Sequence, residues 1–575
     1  MKSIIIFIGI IHCAVTNLSA KSNVLFIAID DLNDWVGCLG GHPQSRTPNL
    51  DRLASSGVLF SNAHCAAPSC NPSRTAVFTG ISPHRSGLYR NGQSMRQVLP
   101  DAELIPKTFS RAGYNSIGSG KMLHYFIDQR SWDKYFPAKE TENPFPRTLY
   151  PEKRPVNLPR AGPWQYIETD WGALDATDQE FGGDYLVSEW VGKELSKKHE
   201  KPFFLACGIY RPHEPWFVPK KYFDAFPIES IQLPPGYRND DLNDLPAQGK
   251  RLGPNRYFAH IREHKQWKNA VQGYLASIYF ADTMLGNVLE KLETGPNAHN
   301  TIVVLWSDHG WHLGEKEHWQ KFTAWRACTR VPLIVRVPKG AEGLPNGTSP
   351  SICSKPVSLL SLAPTLLELN GLDPNNNYDG PSLVPLLADP KSKWDNVATT
   401  YLDAPGSFSI STNEWRYIKY ADGGEELYNT LKDPYEWHNL AGMASTQREL
   451  MRLRSHSPVK FAELVKPNLN ALPQLEWFPL TDKQMAPSSK PDGNPFEVIF
   501  VNQTDRTVEL FWMNPNGQRK SYRIIDAGQR FAQQTRPGAV WMISETKEIS
   551  GESLGYFKVG DRSSSAMIGK QDHLK

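Results

Sequence analysis

The chain has 575 residues, 40% of them hydrophobic and 11% aromatic; this is a globular composition, and the length calls for two or three domains. Its 63 basic and 60 acidic side chains leave a formal charge of +3, which excludes the broad basic surface of a nucleic-acid binder and confines any positive field to a pocket.

At the start, Met1-Lys2 precedes an apolar run from Ile4 to Val15 and the small residues Ser19-Ala20. A charged start, an apolar stretch of about 7–15 residues and a small-residue cut predict a secretory signal over residues 1–20, with a buried N-terminal strand as the alternative. The run is too short for a permanent membrane span and no other segment reads as one, so the expectation is a soluble protein exported to the periplasm or beyond the cell. Of seven cysteines, Cys13 leaves with the signal. The others form neither a disulfide framework nor a zinc spacing, and Cys207, in an apolar run, reads as a buried free thiol.

Residues 23–29 predict a strand buried on both faces, and residues 47–56 a helix with Thr47 as cap and Pro48 in its first turn. Residues 114–118, 202–207, 301–306 and 332–337 are further strands. Between them, 266–293 carries apolar residues at helical spacing, among them Val271, Tyr274, Leu275 and Ile278. The alternation predicts an α/β domain over 21–387, with a mostly parallel sheet covered by helices on both faces. A smaller α+β subdomain is expected over 388–485, with a strand near 415–420 and a helix at 447–454. The Pro-, Ser- and Gly-rich residues 486–494 read as a linker. Residues 495–561 read as an all-β sandwich, with strands at 497–501, 508–512 and 540–543 and a tight turn at Asn516-Gly517. Residues 562–575 read as a tail.

The chemistry-bearing residues sit at strand ends, where open parallel sheets collect ligands. Asp30-Asp31 ends the first strand and Asp308-His309 another, while Lys121 with His124, and His213, follow two more. One acidic residue after a strand is usually only a turn former, so their weight is joint. Converging carboxylates repel and need a cation, and oxygen ligands favour calcium or magnesium over zinc, with His309 as the discordant donor. In Ser69-Cys70-Asn71-Pro72-Ser73-Arg74, Pro72 suits a first helical turn, so Cys70 falls just before a helix N-terminus that favours an anion, with Arg74 one turn on. A structural cysteine at a helix start is the competing reading.

Cys70-Asn71-Pro72-Ser73-Arg74, followed by Thr79-Gly80, resembles the signature of the formylglycine-dependent (type I) sulfatases. Gly120-Lys121 to His124, Pro212-His213-Glu214-Pro215-Trp216, Asp308-His309-Gly310 and Lys321 resemble, in order, the motifs of that family's iduronate-2-sulfatase-like branch. Pro364-Thr365-Leu366-Leu367 and Glu426-Leu427-Tyr428-Asn429 resemble its later structural motifs, whereas Ser361 departs from the aspartate many members have. The resemblance covers about residues 23–442. It implies an alkaline-phosphatase-like fold and hydrolysis of a sulfate ester, on a sulfated carbohydrate. It implies that a formylglycine-generating enzyme converts Cys70 to 3-oxoalanine, whose hydrate is the nucleophile. A divalent metal, calcium by preference, is implied at Asp30, Asp31, Asp308, His309 and residue 70. His124 is implied as base and His213 as acid, with Arg74, Lys121 and Lys321 offsetting sulfate charge.

The β unit resembles the β domain of the von Hippel–Lindau tumour suppressor, with Trp512, Tyr522, Thr535 and Trp541 at the spacings of its ligand pocket. Ala539 stands where that pocket has a histidine, so an accessory sandwich with partly core tryptophans is the alternative. Because every catalytic candidate precedes the linker, a chain cut near Met485 is expected to keep its turnover on a small ester. Two other functions stay open. One is a phosphate or phosphonate ester hydrolase of the same fold. The other is an inactive carbohydrate- or protein-binding relative, whose mark would be loss of Cys70, Arg74 or a metal aspartate; none is lost.

Overall fold

The computed structural model describes residues 21–569 apart from 139–142, 161–167, 374, 466–467, 470–471, 482–483, 492–495, 547–550 and 561–562. The expected signal segment lies outside the described residues.

The first strand, β1 (Asn23–Ile29), is buried along its whole length. Its side chains alternate between two cores, as a strand's must. Leu25, Ile27 and Ile29 face the long helix Trp267–Glu293. Val24, Phe26 and Ala28 face the core that also holds Val77 and Phe78 of the helix Cys70–Thr79. Each larger apolar side chain so buried contributes roughly 1.5–3 kcal/mol.

β1 is the centre of an eight-stranded sheet. It pairs in parallel with Phe203–Ile209 on one side and Thr301–Ser307 on the other. Asn115–Gly120 extends the parallel set beyond Phe203–Ile209. Leu333–Arg336 runs against its neighbours on both sides, which makes the sheet mixed. Four adjacent parallel strands therefore end on one rim, and on that rim lie Asp30-Asp31, Lys121, Tyr210 and Asp308. The expected helix at 47–56 is observed at Pro48–Ala54. Thr47 does not cap it: its hydroxyl accepts from the Gly37 N–H at 2.8 Å and donates toward Asp51.

The subdomain that follows is a four-stranded antiparallel sheet with the helix Gln447–Arg454. Glu426 docks it, accepting from Trp325 Nε1 at 2.8 Å and Tyr428 OH at 2.7 Å. That is the physical work of the Glu426-Leu427-Tyr428 motif.

The β unit is a sandwich of a five-stranded and a three-stranded sheet around Val498, Phe500, Leu510, Trp541 and Phe557. Its limits differ from those the sequence suggests. Trp477–Pro479 pairs with Ser553–Lys558, and the Leu475 N–H donates to the Ser565 carbonyl at 2.7 Å, so the unit begins ahead of the expected linker. Within that linker, the Val540 N–H donates to Ser489 Oγ at 2.8 Å and the Lys490 N–H to Gly538 O at 3.0 Å; this stretch is a strap lying on the sandwich. Ser564–Ile568, expected in the tail, is a strand parallel to Phe496–Asn502. Both corrections have one cause: short edge segments take their hydrogen bonds from a preformed sheet and need little apolar patterning of their own. Among the described residues the cysteines are unpaired, and Cys207 is fully buried.

Candidate active site

Cys70 is the first residue of its helix, one place further in than the sequence suggests; Ser69 is the cap residue, in extended conformation. The whole helix is buried. Asn71 fixes its start: its N–H donates to Asn91 Oδ1 at 2.9 Å and its side chain donates to Gln93 O at 2.6 Å. The Cys70 thiol thus points from a helix N-terminus into the strand-end rim.

Around Cys70 Sγ stand Lys321 Nζ at 3.0 Å, His309 Nε2 at 3.3 Å, Lys121 Nζ at 3.6 Å and Asp31 Oδ1 at 3.9 Å. Burial opposes a charged sulfur. The ammonium groups of Lys121 and Lys321, with His309, nevertheless hold the thiol well below its ordinary range. The pocket is built for an anion at residue 70.

Arg74 has a different part from the one the sequence suggests. Its Nε donates to Asp308 Oδ2 at 2.8 Å, Nη2 to Asp30 Oδ1 at 2.9 Å and Nη1 to Lys121 O at 2.6 Å. Fully buried and committed to these partners, it holds the carboxylates in place rather than reaching a substrate. Burial opposes its charge, but Asp308 and Asp30 raise its pKa.

Asp31 adopts a left-handed backbone (φ 57°), a strained state for a side-chain-bearing residue. It is held there from both sides: its N–H donates to Asp308 Oδ1 at 3.1 Å and its carbonyl accepts from Tyr274 OH at 2.8 Å. Lys321 Nζ reaches its carboxylate at 2.9 Å.

The two histidines expected to move protons are tuned in opposite directions. Burial brings the His124 imidazole down to about 4, against the pull of Cys70, so it is neutral and able to accept a proton. Burial also disfavours charge on His213, but Asp31, 3.7 Å from Nε2, raises its pKa, so it keeps a proton more readily. His213 Nδ1 donates to the Glu214 carbonyl at 2.6 Å, which leaves Nε2 facing the pocket.

The donor set fits a hard divalent cation. Asp31, Asp308, His309 and Cys70 offer ligand atoms within 4.8 Å of one another, and Asp30 with Asp31, Cys70 and His213 makes a second overlapping group. Burial disfavours protonated His309, yet Asp308 and Cys70 raise its pKa to about 9: a field that draws a proton onto a buried imidazole also draws a metal ion. Asp30, Asp31 and Asp308 would be its oxygen ligands, with His309 alongside.

The structure brings every catalytic and metal candidate into this one rim. Sequence reasoning missed the support beneath it. Glu214 accepts from Trp319 Nε1 at 3.2 Å, Gln320 Nε2 at 3.3 Å and Thr169 Oγ1 at 3.2 Å, tying the His213 turn to the Lys321 loop. Its place inside the Pro-His-Glu-Pro-Trp segment was the available signal. Tyr125 and Tyr210 present ring faces to Lys121 at 4.7 and 5.3 Å. In the β unit, Trp512, Tyr522 and Trp541 cluster edge to face, and Trp541 Nε1 donates to Thr535 Oγ1 at 2.8 Å.

A mixed, mostly parallel sheet with a buried cysteine, three carboxylates and two lysines gathered at its strand-end rim defines an alkaline-phosphatase-like hydrolase fold. The sulfatase family profile matches residues 22–372, well over half the chain, and this chain belongs to that family as a sulfuric ester hydrolase. A second profile, N-sulphoglucosamine sulphohydrolase, C-terminal, matches residues 314–457. A sulfatase of Formosa agariphila is 38% identical over 76% of this chain and 86% of its own length. The iduronate 2-sulfatase of Homo sapiens is 30% identical over 61% of this chain and 69% of that protein. The mouse iduronate 2-sulfatase is 32% identical over 56% of this chain and 60% of that one. Among solved structures, a protein in complex with its substrate D-glucosamine-2-N,6-O-disulfate has the same fold (TM-score 0.58, 20% identity, 76% of this chain and 96% of that one). So does the phosphonate monoester hydrolase of Agrobacterium radiobacter (TM-score 0.59, 22% identity, the same coverage).

Proposed function

We propose that this enzyme removes sulfate from an anionic carbohydrate with a formylglycine made from Cys70, in the manner of the iduronate-2-sulfatase-like branch. The observation that carries the reading is the cation-lined seat of Cys70 Sγ at a helix N-terminus, 3.0 Å from Lys321 Nζ and 3.3 Å from His309 Nε2. The thiol stands in for the oxygens of the modified residue. When present, the hydrated aldehyde supplies hydroxyl groups for attack on sulfur, and a calcium ion at the aspartates polarises the sulfate. Lys121 and Lys321 hold the sulfate oxygens by charge-assisted hydrogen bonds. Neutral His124 takes a proton from residue 70, and His213 delivers one from Nε2 to the departing alcohol oxygen.

The substrate class is supported by relatives named for sulfated sugars and polymers: the iduronate 2-sulfatases, and an ulvan-active sulfatase of Formosa agariphila at 26% identity. Maturation by a formylglycine-generating enzyme and export through the first twenty residues belong to the same reading. Among the described residues no helix is long and apolar enough to cross a membrane. The von Hippel–Lindau-like β unit is read as an accessory domain of this enzyme. A phosphonate or phosphate ester hydrolase is the second reading, favoured by the fold shared with the Agrobacterium enzyme.

Mass spectrometry of the peptide spanning residue 70, from protein made with a maturation enzyme, should show an aldehyde in place of the thiol. Matched sulfate, phosphate and phosphonate esters, followed by a panel of sulfated oligosaccharides, should give fastest release from sulfate. A faster phosphonate or an unmodified, fully active Cys70 would overturn the reading.

A further inference from the structure

The aromatic cluster of the β unit meets the catalytic domain. Arg160 Nη2 donates to Tyr522 OH at 2.6 Å, and the Arg160 guanidinium lies 5.7 Å from the centre of the Tyr522 ring. Tyr522 in turn packs edge-on against Trp541, with ring centres 4.9 Å apart. Tyr522, one of the residues at the ligand-pocket spacings, therefore has a partner already, supplied by its own chain. Nearby, Arg536 of the β unit faces Glu168 of the catalytic domain at 3.9 Å, with both side chains largely buried. On another side of the joint, the Glu497 carboxylate lies over Gly92, so close that a Cβ there would meet Oε2 at 2.7 Å. Gly92 follows Asn91, the residue that fixes the N-terminus of the Cys70 helix.

The contact leads to the catalytic residues in a few bonds. Thr169 follows Glu168 and donates to Glu214 Oε2 at 3.2 Å. Gln320 Nε2, next to Lys321, approaches both Thr169 Oγ1, at 3.4 Å, and Glu214 Oε2, at 3.3 Å. The Glu214 carbonyl accepts from His213 Nδ1 at 2.6 Å and from Tyr210 OH at 3.1 Å. Asp170 O accepts the Trp216 N–H at 2.9 Å, closing the same segment onto the far side of the His213 turn.

We propose that the β unit is a built-in positioning element of the active site: its Tyr522 binds Arg160 of its own chain and its Arg536 holds Glu168, fixing the Thr169–Glu214–Gln320 bridge on which His213 and Lys321 are aligned. Tyr522, Arg160 and Arg536 are positioning residues, since none touches residue 70. The sandwich is then not a detachable tether. An ångström of drift at His213, which delivers a proton and holds no sulfate oxygen, is enough to slow a group transfer by about one or two orders of magnitude while binding of a small ester, still held by Lys121, changes little.

The test uses the full chain, matured at residue 70, and a small aryl sulfate that is too short to span two domains. Tyr522→Phe removes only the hydroxyl, Arg536→Ala removes the guanidinium together with its aliphatic stem, and Arg536→Lys keeps the stem and restores a cation, so that recovery in the lysine variant separates pairing from packing. The expected result is a fall in kcat of about tenfold in the first two, with KM changed by less than about twofold and most of the loss recovered in Arg536→Lys. The proposal rests on the sulfatase chemistry above, and wild-type turnover measured alongside separates the two: an inactive, matured wild type counts against the chemistry. Folded variants with wild-type kcat on the small ester would overturn the positioning role. So would losses confined to polymeric substrate, which would mean that the pocket docks an external ligand.

Discussion

The strand-end rim and the aromatic cluster of the β unit both gather side chains from distant parts of the chain, but they are held by different forces. At the rim, Arg74 is fully buried between Asp308 and Asp30. Charges removed from water survive only by facing each other or a bound ion, so each residue there implies its partners. In the β unit, Tyr522 and Trp541 meet edge to face, an arrangement that ordinary apolar cores also use once the hydroxyl and the indole N–H have found a partner. The comparison teaches that a charged site announces its own chemistry, while an aromatic one takes its meaning from whatever packs against it.

The sharpest break in this comparison is at the nucleophile. Cys70→Ala should lower sulfate release by roughly 10⁵-fold or more, the scale expected when a covalent nucleophile is removed. No single β-unit substitution should approach that loss. Measurable turnover near wild type in the alanine variant would end the formylglycine reading.

Next in size is Asp308→Ala. It leaves Arg74 Nε buried without its 2.8 Å partner while Nη2 keeps Asp30, and the orphaned charged donor should cost about 1–3 kcal/mol of stability in denaturant unfolding. It also removes one cation ligand. Chelation of the wild-type enzyme should abolish activity and calcium should restore it, whereas calcium should not rescue the variant. Wild-type activity surviving exhaustive chelation would count against the metal centre.

The joint between the two regions gives a smaller, pH-dependent effect. Burial raises the Glu497 carboxyl from its ordinary 4.5 to about 7. A carboxyl with a raised folded-state value favours folding in its protonated form, so its contribution is full below pH 4.5 and is lost as pH rises toward 7. Glu497→Gln should therefore raise the melting temperature at pH 8, by about 2 °C, and leave it unchanged at pH 4. A variant that melts lower at pH 8 would show that the carboxylate is stabilised at the joint after all. Smallest is Thr535→Val, which removes the hydroxyl that accepts from Trp541 Nε1 and should cost about 1 kcal/mol, read from urea unfolding.

The sequence carried the rim almost whole. Strands ending near 29, 118, 207 and 306 could be read from apolar runs, within two residues of the observed ends, and parallel pairing makes such ends coincide. The rim's charged residues stood out because charge is rare beside buried strands. Arg74 was found by its spacing from Cys70, but its part was not, because a sequence gives no direction to a guanidinium. Glu214, Thr169 and Gln320 went unnoticed for a related reason: each is an ordinary polar residue until the fold brings it within hydrogen-bond reach of the others.

What the sequence determined by itself was therefore the α/β core, the order of its strands along the chain, and Cys70 with the carboxylates around it, since local apolar runs and short charged motifs encode those directly. Only the tertiary structure decided that Leu333–Arg336 runs antiparallel, that residues 477–479 and 564–568 belong to the sandwich, and that Tyr522 faces Arg160. These are pairings between segments far apart in the chain, set by which edge or surface is left open once the cores have formed, and no residue's own chemistry specifies them.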